Sequence, residues 1–179
     1  MRDAVKRVQD GDTEALHFLY VRYVDEMRRY VASIVHDQHE AEDIAQEVFA
    51  KLMTRIGKYE AREAPFGAWI MRVARNAALD YMRARRVLPI EEIRVTEQSR
   101  PEVDLGRTHD LRRAFEELPN DQREVLVLRH VVGLSPVEIA SALEKTESSI
   151  HGLHHRGRRT LRAKLVEMGD APVVATGSP

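Results

Sequence analysis

The chain has 179 residues, a formal net charge of −1, no cysteine and few glycines or prolines. Its length fits one large domain or two small ones, and the lack of cysteine excludes a disulfide framework and a thiolate zinc site. No apolar run approaches the ~20 residues of a membrane span, and the N-terminus has no apolar signal segment, so a soluble cytoplasmic protein is expected.

The near-zero net charge hides a strong segregation of charge along the chain. Residues 37–50 contain acids but no lysine or arginine, whereas residues 66–88 contain several arginines and one acid, Asp80. Such a chain can face a basic partner with one surface and a polyanion with another. Because alternating β-branched patterns are scarce, the predicted fold class is all-α.

Helical periodicity runs through the first part of the chain. A short helix should end near Gly11, and Asp12 can cap a helix that extends toward Val35. Residues 37–55 show the cleanest pattern, with apolar residues three and four positions apart. The opposite side of this helix is acidic, and solvation with the helix dipole explains only part of that acidity.

A loop at residues 57–65 precedes another predicted helix at residues 66–86. Trp69 lies on the apolar stripe of this helix and is interpreted as a core residue. Tyr59, in the loop, is less easily assigned to a core. The apolar stripe is predicted to contain Phe66, Trp69, Ile70, Val73, Ala77 and Tyr81.

Residues 88–108 break the periodicity with prolines, a glycine and mixed charges. They predict a linker between domains at residues 1–87 and 109–167. Residues 168–179 predict a disordered tail. In the second domain, a helix at residues 109–117 should precede one that is capped by Asn120 or Asp121, with its inward face formed by Val125, Leu126, Leu128 and Val131.

Residues 133–165 have the pattern of a helix-turn-helix. Ser135 and Glu138 can form a capping box on the first helix, and Thr146 can cap the second. The second helix has no acidic residue between positions 148 and 166. By itself the pattern leaves two interpretations equally open: a DNA reader, or two core helices with a solvated basic face.

Two blocks of sequence stand on either side of the linker. The first reads EAEDIAQEVFAKLM and then APFGAWIMRVARNAALDYMRARR, and the second reads LPNDQREVLVLRHVVGLSPVEIASALEKTESSIHGLHHRGRRTLR. In this order and spacing they resemble an extracytoplasmic-function (ECF) sigma factor, the minimal group of the sigma-70 family. The resemblance covers residues 10–166 and implies region 2 at residues 1–87, region 4 at residues 109–167, and a role in directing RNA polymerase to promoters.

The resemblance implies several protein partners. In the family, the helix at residues 37–56 docks on the clamp helices of the polymerase β′ subunit, and the β flap is a second contact on the core enzyme. The linker is expected to thread through the polymerase, and an anti-sigma factor is expected to sequester both domains. The expected core-binding residues are Glu40, Asp43, Gln46 and Glu47.

The family's regions for promoter melting and minus-ten recognition match residues 58–86. There a base leaves the stack and enters a pocket, for which Tyr59 is the candidate stacking group and Asn76 occupies the pocket position. The loop is slightly longer than is common, so the family's base preference does not carry over. The expected minus-ten residues are Lys58, Tyr59, Arg62, Arg72, Arg75, Asn76, Asp80 and Arg83.

Residues 146–164 match the helix that reads the minus-thirty-five element. Gly152 and Gly157 depart from the common form of this helix, as does His151, which stands where lysine is frequent. No metal is expected at the histidines, because arginines surround them and neither cysteine nor an acidic ligand is near. The expected DNA contacts are Thr146, Glu147, Ser148, Ser149, His151, His154, His155, Arg156, Arg158 and Arg159.

The chain shows no nucleophile–base pair, phosphate-binding loop or metal motif, so neither enzymatic activity nor a cofactor is expected. Two alternatives stay open beside the sigma-factor interpretation. A stand-alone helix-turn-helix regulator explains residues 133–165 but not residues 37–86. A helical interaction protein without a DNA role would use its basic helices to cover an acidic partner.

Overall fold

The computed structural model describes residues 1–61, 64–87 and 105–169, and every regular element within these ranges is helical. The all-α prediction is therefore confirmed. We call residues 1–87 the first half and residues 105–169 the second half. The elements of the first half are α1 (Arg2–Gln9), α2 (Thr13–Val35), α3 (Gln38–Ala50), α4 (Leu52–Arg55), a 3-10 turn (Ile56–Lys58) and α5 (Phe66–Val87). Those of the second half are α6 (Leu105–Glu116), α7 (Asn120–His130), α8 (Pro136–Leu143) and α9 (Glu147–Glu167).

Helix α2 is the centre of the first half and contacts α1, α3 and α5. As predicted, Asp12 caps it: one carboxylate oxygen accepts the backbone N–H groups of Glu14 and Ala15 at 2.9 and 3.0 Å. The helix continues without a break to Val35 and ends where His36 adopts a left-handed conformation, with φ of 61°. Leu19, Met27 and Tyr30 on its inner face are completely buried.

The acidic helix begins as expected, because the Asp37 side chain accepts from the backbone N–H groups of His39 and Glu40. The prediction of one continuous helix to residue 55 is wrong, since α3 ends at Ala50 and α4 begins at Leu52. The Thr54 hydroxyl donates to the Lys51 carbonyl oxygen at 2.8 Å. The same oxygen also accepts from the backbone N–H of Arg55 at 3.2 Å, so the bonds that start α4 are complete.

Helix α5 is buried on more than the predicted stripe. Phe66 and Ile70 lie in the core, while the other stripe residues, including Trp69, are partly buried against it. A second row, formed by Met71, Ala74 and Ala78, is fully buried. This row exists because α5 packs against α2 and α3 and also against α8 of the second half.

The first helix of the second half begins earlier than the sequence predicts. Helix α6 begins at Leu105, so residues 105–108 are helical instead of part of the linker. Residues 88–104, the rest of the predicted linker, lie outside the described residues, as do residues 170–179 of the predicted tail.

Two predictions for α7 are wrong. Neither Asn120 nor Asp121 caps the helix, because Pro119 holds the N-cap position and Asn120 is already helical, with its side chain accepting from Arg123. Val131 is 39% exposed and Val127 is buried in its place. The helix ends at His130, so Val131 lies in the following turn and leaves the helical register.

The helix-turn-helix forms as the sequence predicts. Ser135 and Glu138 make a reciprocal capping box at the start of α8. The Thr146 hydroxyl accepts from the backbone N–H of Ser149 at the start of α9. Glu144, in a left-handed conformation, makes the tight turn between the two helices.

The two halves pack against each other. Helix α7 lies on α2, and α8 lies on α5. Leu134, in the turn before α8, is buried and reaches within 3.6 Å of the place that a Cβ on Gly67 would occupy. No helix in the described part of the chain is long and apolar enough to cross a membrane.

Candidate polymerase and nucleic-acid interfaces

The exposed face of α3 carries the predicted acidic group. Asp43, Gln46 and Glu47 are all exposed and, at this spacing, share one side of the helix. Glu47 forms an ion pair with Lys51 one turn later. Glu40 differs from them: it is partly buried and hydrogen-bonds Tyr81 of α5, and burial first, then this bond, raise the pKa of the tyrosine.

Tyr59 lies in the core, so the interpretation that set it apart from the core is wrong. Its side chain is 7% exposed, and its hydroxyl donates to the Ala64 carbonyl oxygen at 2.9 Å. The ring makes an edge-to-face contact with Phe66 and a tilted contact with Trp69, with centroids 5.5 and 5.3 Å apart. An aromatic residue a few positions before Phe66 and Trp69 was the available signal for this cluster.

The α1 helix holds the backbone of the same loop. The Gln9 amide donates to the carbonyl oxygens of Ile56 and Tyr59 at 2.9 and 3.1 Å. Lys58 between them is exposed, and Arg62 lies outside the described residues. The loop therefore presents Lys58 to solvent while its tyrosine ring packs inward.

The polar side chains of α5 fall into two groups. Asn76 is exposed, and Asp80 with Arg83 forms an exposed ion pair at 2.6 Å. Arg72 and Arg75 are partly buried, and each meets an acid of the second half. The first group is available to a ligand, whereas the second is engaged within the chain.

The contact of Arg75 with Glu124 is the centre of the junction between the halves. Arg75 Nε donates to Glu124 Oε1 at 2.8 Å, and the Tyr30 hydroxyl donates to the same oxygen at 2.7 Å. Burial lowers the pKa of Arg75, but the hydrogen bond and charge of Glu124 outweigh it, so the pKa is raised. Burial, together with the adjacent carboxylate, raises the pKa of Tyr30 well above its ordinary value.

No local sequence pattern points to Glu124 or Tyr30 as a junction residue. Tyr30 lies 94 positions from Glu124 in the sequence, and Arg75 lies 49 positions from it. Helical periodicity relates only residues a few positions apart, so it cannot indicate these contacts. The sequence had indicated only that α5 carries arginines off its apolar stripe.

A second polar junction joins Arg123 of α7 to the end of α2. Its guanidinium donates to His36 Nε2 at 2.9 Å and to the Ser33 carbonyl oxygen at 3.4 Å. It also donates to the carbonyl oxygens of Glu116 and Leu118, each at 3.0 Å. Burial first, and the charge of Arg123 second, lower the pKa of His36, which favours the neutral ring that can accept from Arg123.

Most of the predicted DNA-facing residues of α9 are exposed, and the helix packs mainly on α6, α7 and α8. His154 is the exception: it is partly buried, and its Nε2 lies 3.0 Å from Nε2 of His130. Burial and then the charge of His130 lower the pKa of His154. Exposed residues of the predicted set are Thr146, Glu147, Ser148, Ser149, His151, His155, Arg156, Arg158 and Arg159.

The histidines of α9 do have an acidic neighbour, contrary to expectation. Glu147 lies 3.6 Å from His151 Nε2, one turn earlier on the same helix. Among the residues that the structure describes, no group of three or more histidine, cysteine, aspartate or glutamate side chains could hold a metal ion.

The comparisons with known proteins agree with this geometry. The sequence model for Sigma-70 region 2 matches residues 19–87, and that for Sigma-70, region 4 matches residues 108–161. The ECF RNA polymerase sigma factor SigD of Mycobacterium tuberculosis is 31% identical over 177 residues, which cover 94% of this chain and 80% of SigD. The chain belongs to the ECF sigma factors of the sigma-70 family.

One further relative and two solved structures are also similar to this chain. The ECF RNA polymerase sigma factor BldN of Streptomyces coelicolor is 31% identical over 92% of this chain, which spans only 66% of BldN. CnrH, solved in complex with the cytosolic domain of CnrY, shares the fold with a TM-score of 0.71 and 24% identity, over 93% of this chain and 97% of CnrH. RpoE of Bartonella quintana, solved with the anti-sigma factor NepR, has a TM-score of 0.66 and 22% identity over 84% of this chain and 96% of RpoE.

This sigma factor is an alternative specificity subunit that directs promoter recognition by RNA polymerase. Region 2 ends with α5, and region 4 contains the helix-turn-helix of α8 and α9. Members of the family are in general transcription initiation factors without enzymatic activity of their own.

Proposed function

We propose that this sigma factor grips its promoter at two sites and the polymerase at a third. The observation that carries the proposal is the exposure of polar side chains on three different helices: the acidic face of α3, Asn76 with Asp80 and Arg83 on α5, and the basic side of α9. Each surface has the charge and side-chain chemistry that its expected partner requires. The protein would act in the cytoplasm, where RNA polymerase works, and would have no catalytic group of its own.

The first surface is proposed to bind the β′ clamp helices of the core enzyme. Asp43, Gln46 and Glu47 are exposed together on α3, which supports a direct contact with basic side chains. Glu40 contributes less to such a contact, because its carboxylate is already bonded to Tyr81. We expect region 4 to meet the β flap and the linker to lie between these two contacts.

The second surface is proposed to hold the unpaired minus-ten strand. Asn76 is exposed and its amide can both donate to and accept from a base edge. Arg83, oriented by Asp80, would bind the strand backbone, with Lys58 and Arg62 at the loop. Arg72 and Arg75 would join it only after they leave Glu144 and Glu124. Because the Tyr59 ring is packed between Phe66 and Trp69, stacking on a base would require it to leave that cluster.

The third surface is proposed to read the minus-thirty-five element as duplex DNA. The N-terminal turns of α9 would enter the major groove, with Ser148, Ser149 and His151 toward the base edges. Arg156, Arg158 and Arg159 would neutralise phosphates along the flank. These side chains are exposed, which supports the assignment.

An anti-sigma factor is proposed as a fourth partner. Sequestration of a sigma factor has to cover the surfaces that meet polymerase, and the acidic face of α3 is open in this chain. The relative RpoE was solved with such a protein.

Run-off transcription tests the proposal. Core RNA polymerase is supplied with or without the chain on a random-sequence promoter library, and the enriched templates are sequenced. We expect specific transcripts only with the chain, from templates that share two elements at fixed spacing. Failure to initiate with core polymerase would reject the sigma-factor mechanism, and tight duplex binding without core would favour a stand-alone regulator.

A further inference from the structure

One side chain of α1 holds the backbone at the start of the loop before α5. The Gln9 amide nitrogen donates to the Ile56 carbonyl oxygen at 2.9 Å and to the Tyr59 carbonyl oxygen at 3.1 Å. A side-chain amide nitrogen has two N–H groups, so both donors of Gln9 are used here. The acceptors lie 47 and 50 positions further along the chain, and the contact therefore depends on how α1 packs.

The bond from Gln9 to Ile56 is not needed to complete the backbone of the loop. The Ile56 carbonyl oxygen already accepts from the Tyr59 backbone N–H at 3.0 Å, which closes the 3-10 turn. Helix ends leave carbonyl groups without an internal partner, and a side chain that only replaced a missing partner would bond the Tyr59 oxygen alone. Because Gln9 bonds both oxygens, it fixes the two ends of the turn relative to α1.

Both sides of this contact are anchored in the core. Val5 and Val8 of α1 are buried, as are the Ile56 and Tyr59 side chains. The Tyr59 hydroxyl also donates to the Ala64 carbonyl oxygen. Gln9 therefore joins two elements that are each held by buried side chains, and the backbone between its two acceptors has little freedom to move.

Lys58 is the residue whose position this contact determines. It lies in the 3-10 turn, between the two bonded carbonyl groups, and its side chain is exposed. Among the residues that the structure describes, none forms an ion pair with its ammonium group. By contrast, Arg72 and Arg75 of α5 meet Glu144 and Glu124. Lys58 can therefore bind a phosphate without first leaving an acid.

We propose that Gln9 is a positioning residue for promoter melting: by fixing the turn, it places the Lys58 ammonium group against a phosphate of the unpaired minus-ten strand. The inference rests on the proposed role of this loop in holding that strand. Ordering a flexible backbone on binding costs conformational entropy, and a turn that is already fixed avoids that cost. Gln9 acts through Lys58 and does not itself contact the strand.

Four variants separate this role from a contribution to stability alone. Gln9→Met removes both donors and keeps an unbranched side chain of similar length. Lys58→Ala removes the cation, and a double variant combines the two changes. Gln38→Met is the matched control, because it makes the same substitution at an exposed position in the first turn of α3.

Strand binding is measured on the holoenzyme formed from core polymerase and each full-length protein. The probe is a labelled oligonucleotide of the non-template minus-ten strand, from a promoter that the transcription assay has selected, and it is titrated at several salt concentrations. Core affinity, binding of minus-thirty-five duplex and circular dichroism are measured on the same proteins. These three readouts would change if Gln9→Met acted through the stability of the whole protein.

We expect Lys58→Ala to weaken strand binding about 3–10-fold. The dependence of the logarithm of the binding constant on the logarithm of the salt concentration should become less steep by about 0.7, the value for one phosphate contact on a single strand. Gln9→Met should weaken binding about 2–5-fold and change the salt dependence in the same direction.

The double variant decides whether Gln9 acts through Lys58. Its loss of strand binding should equal that of Lys58→Ala alone, because the residue that Gln9 positions is then absent. Gln38→Met should bind the strand as the wild type does. Core affinity and duplex binding should be the same in all of these proteins.

Four results would overturn the inference. Losses that add up in the double variant would show that Gln9 acts independently of Lys58. Wild-type strand binding by Gln9→Met, or a loss that extends to core affinity and duplex binding, would leave Gln9 a structural residue and the proposed function intact. Unchanged strand binding by Lys58→Ala, with normal initiation, would remove Lys58 from the strand contact and the inference with it. If the wild-type holoenzyme does not initiate at all, the proposed function itself fails.

Discussion

At the scale of single residues, the two glycines of α9 have different reasons to be there. A Cβ on Gly157 would lie 3.2 Å from Leu126 Cδ1 and 3.3 Å from Gln122 Cβ, both on α7. Gly157 therefore lets the recognition helix approach α7 closely. The nearest atoms to a Cβ on Gly152 belong to the tip of the Arg156 side chain, which can move away.

This difference predicts opposite effects of the same substitution. Gly157→Ala should destabilise the protein by about 1 kcal/mol, because overpacking against a fixed Cβ costs ~1–3 kcal/mol and helix propensity returns at most ~1 kcal/mol. Gly152→Ala should stabilise it by about 0.5–1 kcal/mol. Denaturant unfolding of both variants measures this, and equal stabilisation by the two would contradict the role given to Gly157.

Asn76 allows a second prediction at this scale. Asn76→Ala should reduce minus-ten strand binding and promoter opening by about 2–10-fold, the expected loss for one hydrogen bond of ~0.5–1.5 kcal/mol. Asn76→Asp should alter base preference, because a carboxylate accepts but does not donate. Strand binding and open-complex formation by the holoenzyme are the measurements, with core affinity as the internal control. Unchanged promoter selectivity in both variants would remove Asn76 from the pocket.

At the scale of elements, α3 is an amphipathic helix with two separate tasks. Its apolar side, which includes Ala41, Ile44 and Val48, is buried in the core. Its exposed side carries acids that the helix does not need for its own start, because Asp37 already caps the N-terminus. Substitutions on the exposed side should therefore change binding while they leave the fold intact.

Reversing the charge of this face should weaken the polymerase contact. The double variant Asp43→Lys with Glu47→Lys should lose at least ~10-fold in core affinity, about 1.4 kcal/mol, because it sets like charges against each other. The thermal midpoint should change little, since the ion pair of Glu47 with Lys51 is exposed.

The matched control for that variant is Asp10→Lys with Glu14→Lys, which makes the same charge change at exposed positions near the start of α2. Both proteins are titrated against labelled core enzyme at several salt concentrations. Equal loss of affinity in the two would mean that net charge, and not the α3 face, controls binding.

At the scale of the whole molecule, two polar junctions hold the halves together beside the apolar contacts. Glu124 joins α7 to α2 and α5, and Arg123 joins α7 to the end of α2. The second junction requires a neutral imidazole, because Arg123 donates to His36 and its charge faces the ring. The charge of Glu116 opposes these shifts, because it raises the pKa of both His36 and Arg123.

This requirement makes the closed arrangement sensitive to pH. A histidine whose pKa is lowered in the closed state binds its proton more weakly there, so its stabilising contribution is complete above about pH 6.5 and is lost as the pH falls through the lowered pKa. Acidification from pH 8 to 5 should increase the separation of the halves, as measured by energy transfer between two fluorescent labels. The labels are attached to Val21→Cys and Val166→Cys, two exposed positions in a chain without cysteine. In His36→Gln, the amide oxygen can accept from Arg123 and does not titrate. The increase in separation on acidification should therefore be smaller in this variant than in the wild type. If His36→Gln responds to pH as strongly as the wild type does, groups other than His36 cause the response.

Much of the fold and part of the site could be predicted from local sequence. Asp12, Ser135 and Thr146 cap helices as expected, because a cap depends on residues within one turn of each other. The acidic face of α3 and the basic side of α9 follow in the same way from helical periodicity. The burial of Tyr59 could not be predicted, because a loop position carries no periodicity that indicates whether its ring turns inward.

By itself, the sequence determined the helices, most of their caps, the three charged surfaces and the membership in the sigma-70 family. Only the tertiary structure decided that Glu124 meets Arg75 and Tyr30, that Arg123 meets His36, and that Gly157 touches α7. The physical reason is the range of the interactions involved. Caps and amphipathic faces depend on residues three or four positions apart, whereas the junction between the halves depends on how completed helices pack across a linker.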